Sequence, residues 1–121
     1  MSSDVIAISN NPLVWRKVPG CLRVQGNPLD VFYRCLSCLA DSHVFYSHPL
    51  TGNERLSINP YRSVVMEKKQ DERAANEQIR LLEGVLRKME DLDFSRVSRS
   101  SWEDYRTVDY ELFMQAYPAD R

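Results

Sequence analysis

In Val5-Ile6-Ala7-Ile8-Ser9-Asn10-Asn11-Pro12, four apolar residues, mostly β-branched, run straight into two asparagines and a proline. An uninterrupted apolar run of this kind is the pattern of a strand covered on both faces, as in a parallel sheet. The asparagines behind it offer a helix cap, and Pro12 suits the first helical position, where no backbone N–H is needed. The stretch therefore predicts a central strand followed by a short helix over residues 12–17, stopped by Pro19-Gly20.

The same alternation continues along the chain. Cys21-Leu22-Arg23-Val24 reads as a second strand ended by Gly26. Asn27-Pro28-Leu29-Asp30 repeats the cap-then-proline signal, with Asp30 placed to favour a helix start. The helix predicted over residues 28–40 carries Leu29, Phe32, Leu36 and Leu39 at helical spacing, widened by Val31, Cys35 and Cys38. His43-Val44-Phe45-Tyr46 and Ser63-Val64-Val65-Met66 read as a third and a fourth strand. The 12-residue loop between them, residues 51–62, is long for an α/β connection. It is barely long enough for a parallel crossover, so an antiparallel edge strand is an alternative for the fourth. Residues 71–92 place Ala75, Ile79, Leu82, Val85, Leu86 and Met89 at steps of three and four, with Gly84 as the weak position. Ser101-Trp102-Glu103-Asp104 looks like a capping box opening a last helical region, interrupted near Thr107, that carries Tyr105, Tyr110, Leu112, Phe113, Met114 and Tyr117.

The expected architecture is a small layered α/β domain with a mostly parallel sheet of about four strands flanked by helices, Rossmann-like or flavodoxin-like. Residues 1–93 form the core in this reading. Residues 94–121 form an aromatic-rich helical tail that docks on the core or on a second subunit, a route to a homo-oligomer.

With 121 residues the chain accommodates one domain of ordinary size, and a formal net charge of −1 gives no long-range field to attract nucleic acid or an anionic membrane. No apolar run reaches the length of a membrane span, and Met1-Ser2-Ser3-Asp4 lacks the features of a signal peptide, so the cytoplasm is the expected compartment. Three cysteines, an odd number, are read as free thiols of a reducing compartment.

Chemistry is expected in the loops that end strands one and three, where open α/β sheets hold their ligands. The second of these is Ser47-His48-Pro49-Leu50-Thr51-Gly52-Asn53. His48 can exchange protons near neutral pH, contact a ligand or brace its loop. Asn10 and Asn11 can donate amide hydrogens, with the N–H groups of the following short helix suited to an anion. Thr51 and Gly52 supply a hydroxyl and a close backbone approach, yet also read as an ordinary turn. Cys35 and Cys38 lie inside an amphipathic helix without a second Cys pair, which argues against zinc and against a redox dithiol. No metal and no cofactor is expected. The motifs of nucleotide-binding loops, nucleophile elbows and zinc proteases do not occur.

Asn10-Asn11-Pro12, Leu29-Asp30-Val31, His48-Pro49-Leu50-Thr51-Gly52 and Asn59-Pro60-Tyr61-Arg62-Ser63-Val64-Val65 together resemble the GrdX family, over about the first 90 residues. Its members are small proteins encoded beside the selenium-dependent glycine, sarcosine and betaine reductases of anaerobic amino-acid-fermenting bacteria. The resemblance implies a non-catalytic accessory protein whose partners are reductase subunits or a small anionic metabolite. It implies a binding site built from Asn10, Asn11, His48, Thr51, Gly52, Asn59, Tyr61 and Ser63. Two alternatives stand beside it: a small enzyme using His48 as general acid/base on an anionic metabolite, and an interaction protein acting through the aromatic tail.

Overall fold

The computed structural model describes residues 5–46 and 59–118. Strand β1 is Val5–Ser9, helix α1 Pro12–Lys17, β2 Leu22–Arg23 and α2 Pro28–Leu39. They are followed by β3 His43–Phe45, β4 Ser63–Lys68, α3 Glu72–Met89, a 3-10 turn Phe94–Arg96 and α4 Arg99–Ala116.

Local chemistry sets the helix ends. Asn11 accepts Leu13 N–H at 3.0 Å, ahead of Pro12. Asn27 and Asp30 form a complete capping box at the start of α2. Gly26 makes that start possible: its φ is +137°, and a Cβ there would sit 2.1 Å from Asp30 Oδ2. Asp71 caps α3 by accepting Ala74 N–H at 3.0 Å. The last helix differs from the sequence expectation. Ser98, not Ser101, caps it, and it runs unbroken through Thr107, whose hydroxyl donates to the Glu103 carbonyl one turn back.

The sheet order is β2-β1-β4-β3. β1 pairs in parallel with β2 and antiparallel with β4, and β4 is antiparallel to β3. Strands β1, β2 and β3 thus share one direction and β4 opposes them all. The mostly parallel sheet expected from the alternation is corrected to a mixed one. β3 and β4 pair as antiparallel neighbours, an arrangement that needs no helical crossover between them. β4 is not an edge strand either. Val64, Val65 and Met66 are 3%, 1% and 0% exposed, a run covered on both faces by helices because β4 lies in the lane between β1 and β3.

Alternate residues of the two central strands feed two cores. Ile8, Val64 and Met66 face α2 and α3, where Val31, Phe32, Cys35, Leu82 and Leu86 fill the larger core. Ala7 and Val65 face the opposite layer, where Val14 and Val18 from the α1 region meet Phe113 of α4. Helix α4 therefore docks on the domain's own sheet, against β4 and α1. Its aromatic residues Tyr110, Phe113 and Tyr117 close the smaller core, the last two stacked at 5.1 Å. No helix among the described residues is long and apolar enough to cross a membrane.

Candidate functional site

Ser9 and Ser63 are register partners where β1 ends and β4 begins, on the face that α4 covers. Their hydroxyls are 2.6 Å apart, and Ser63 donates onward to Asp109 Oδ2 at 2.6 Å. Asn11 closes a ring around them. Its backbone N–H donates to Ser9 Oγ at 2.8 Å and its side-chain amide to Asp109 Oδ2 at 3.0 Å. That amide also donates to the Arg106 carbonyl, so Asn11 caps α1 and clasps α4 together.

Asn10 ties three separate segments. Its amide donates to the carbonyls of Gly26 and Pro60, at 3.0 and 2.8 Å, and its Oδ1 accepts Arg62 N–H at 2.8 Å. Asn59 accepts Tyr61 N–H and donates to the Tyr105 carbonyl on α4. Tyr61 stands edge-on to Trp102, and its hydroxyl accepts a bond from Arg106 Nη2 at 3.2 Å. Trp15 Nε1 donates to the Ser9 carbonyl at 2.7 Å, placing an indole at the rim.

Five of the residues singled out in the sequence, Asn10, Asn11, Asn59, Tyr61 and Ser63, thus gather at the carboxyl end of β1. Their polar groups are turned onto the protein's own backbone and onto α4. At the start of α1, Pro12 has no N–H and the N–H of Leu13 is taken by Asn11. His48, Thr51 and Gly52 lie outside the described residues. The chain leaves for that segment at Tyr46, whose N–H still donates to the Val65 carbonyl, and returns at the buried Asn59.

Sequence reasoning missed Asp109, Arg62 and Arg106. Asp109 is 6% exposed, and burial raises its carboxyl above the ordinary range, opposed by hydrogen bonds from Ser63 and Asn11 and by the charge of Arg62. Arg62 is 8% exposed, with its guanidinium over the Phe32 ring. A signal for Asp109 exists in the sequence. Trp102, Arg106, Asp109 and Phe113 fall on one helical stripe, and an acid in the middle of such a stripe is an acid facing the core.

Among the described residues no group of His, Cys, Asp and Glu comes together to hold a metal. The three cysteines are free. Burial pushes the Cys21 thiol up to about 11 and raises those of Cys35 and Cys38, a shift that disfavours the thiolate form.

The fold and site define a three-layer α/β domain whose sheet end is sealed by a buried polar clasp to its last helix. Residues 6–118 match the model of the GrdX-like protein family, and the chain belongs to that family. The match runs well past the first 90 residues of the sequence resemblance and takes in α4, with Arg106 and Asp109. No curated protein and no solved structure matches the chain.

Proposed function

We propose that the protein is a non-catalytic accessory protein of the glycine, sarcosine and betaine reductase system. It binds a small molecule or a reductase subunit at the carboxyl end of β1 and β3. Membership of the GrdX-like family supports the system. The observation that supports the place is the buried polar knot around Asn10, which fixes Gly26, Pro60 and Arg62 at the two ends of neighbouring loops. A rigid floor of this kind is what a binding loop needs beneath it, because side chains held in advance lose less entropy on binding.

Binding is favoured over catalysis by His48. Among the described residues the carboxylate gathered at this end is Asp109, enclosed by Asn11, Ser63 and α4 rather than presented to a substrate.

The test is a thermal-shift screen against glycine, sarcosine, betaine, acetyl phosphate and phosphate, repeated on His48→Ala, with pull-down of reductase subunits by the tagged chain. A ligand at about 100 times its dissociation constant stabilises the fold by about 2.7 kcal/mol, a readily measured melting shift. A shift that His48→Ala removes, or recovery of a subunit that His48→Ala loses, supports the reading. A flat screen together with no recovered subunit overturns it.

A further inference from the structure

Strand β2 forms one edge of the sheet and is joined on its inner side to β1 through Ile8–Leu22 and Ser9–Arg23. Val24 N–H donates to the Ser9 carbonyl at 2.9 Å. In a parallel ladder alternate residues turn both backbone groups to the neighbour, so Leu22 and Val24 serve β1 and the N–H and C=O of Arg23 point away from the sheet.

Alongside this edge runs a groove of about 400 Å³ between β2 and α2. Leu22, Val24 and Tyr33 give it apolar surface, and Tyr33 is 52% exposed. Arg23 and Arg34 flank it, both exposed, and neither forms an ion pair among the described residues. Arg23 leans over Trp15 on the α1 side, whereas Arg34 belongs to α2, so cationic groups stand on both faces of the edge. The acid at the groove, Asp30, is engaged by Asn27 N–H at 2.9 Å as part of the α2 capping box.

Sheet edges are templates for strand addition; β2, two residues long and carrying the exposed Arg23, is guarded by charge against pairing with a like copy, whereas an acidic strand meets no such repulsion. At β3 the N–H of Phe45 is capped by Gln78 Oε1 of α3 at 2.8 Å. At β2 the outward groups of Arg23 have no such cover among the described residues.

We propose that the β2 edge is a docking site for an extended acidic segment of a partner protein. The segment adds to the sheet beside β2, pairs with the backbone of Arg23, lays one side chain against Tyr33 and turns carboxylates to Arg23 and Arg34. This surface is separate from the site proposed above, and either stands if the other fails.

Fluorescence polarisation with a labelled hexapeptide Glu-Val-Glu-Glu-Val-Glu tests it, with a Lys-for-Glu peptide as control and ¹⁵N amide spectra of the full chain. The expected result is saturable, salt-sensitive binding of the acidic peptide alone, with the Arg23 amide among those that move. Arg34→Glu should weaken it by about tenfold or more through charge reversal. Arg23→Pro removes the outward N–H, leaves the β1 bonds of Leu22 and Val24, and should abolish binding; circular dichroism checks that both variants fold. If either variant misfolds, N-methylation of alternate peptide residues must abolish binding by wild type. Absence of binding, equal binding of the Lys peptide, binding that survives these changes, or amide shifts confined to other regions overturns the proposal.

Discussion

Replacing Asp109 with alanine removes the acceptor on which the clasp to α4 converges. Ser63 Oγ and Asn11 Nδ2 both donate to its Oδ2, at 2.6 and 3.0 Å. A buried donor left without an acceptor costs about 1–3 kcal/mol. Asn11 keeps its second bond, to the Arg106 carbonyl, so the two losses together come to about 3 kcal/mol rather than the full sum. Against the roughly 5–15 kcal/mol that holds a small domain, this is a large share. Urea unfolding followed by Trp15 and Trp102 fluorescence should show a midpoint lowered by about 1.5 M, taking a slope of about 2 kcal/mol per molar. Asp109→Asn retains a side-chain carbonyl for both donors and removes the cost of a buried charge, so it should cost less than alanine. If alanine costs under about 1 kcal/mol, or asparagine costs as much as alanine, the clasp does not hold the helix in the way argued.

Protonation gives a second reading of the same residue. Burial raises the Asp109 carboxyl above its unfolded value, so at a pH between the two values the folded state holds a proton that the unfolded chain has released. The resulting stability is complete below the ordinary carboxylate value and is lost as pH rises through the raised one. The wild-type melting temperature minus that of Asp109→Asn should fall as pH rises across that window; a rising difference contradicts it. Asn10→Ala leaves Gly26 O, Pro60 O and Arg62 N–H without the partner that joins them, and calorimetry should show a loss of about 2–4 kcal/mol. The glycines divide sharply. Gly84→Ala, in the α3 interior with nothing within 4 Å of the added Cβ, should raise stability by about 0.5–1 kcal/mol in urea melts. Gly26→Ala should lower it by at least about 1 kcal/mol, because the added carbon meets Asp30 and the φ is glycine's.

The helices and strands were largely legible because their signals are local. Asn11-Pro12 and Asn27-Pro28 mark the two helix starts within a residue or two of the groups they bond, and Ser63 to Met66 reads as a strand from its own side chains. The placement of β4 was not legible. Its apolar run states that both faces are covered but not by which neighbours, and that is decided by the empty lane between β1 and β3. The site divides on the same ground. Asn10 and Asn11 stand out as polar residues at a strand end, yet the distant groups their side-chain amides tie together lie 16 to 98 residues away, at Gly26, Pro60 and Asp109. Asp109 is the one acid on the inward stripe of α4, a weaker signal in the sequence than the aromatic residues around it.

The position of β4 also bears on how the chain assembles during synthesis. As the ribosome delivers the first 46 residues, β1, β2 and β3 are present and share a direction, but β3 has no strand beside it until residues 63–68 emerge. The nascent segment therefore cannot close its own sheet, and pairing β1 with β4 requires a contact between residues as distant as Val5 and Glu67. Such non-local pairing slows folding. It makes the emergence of β4, followed by α3, the step at which the product becomes able to protect itself from aggregation.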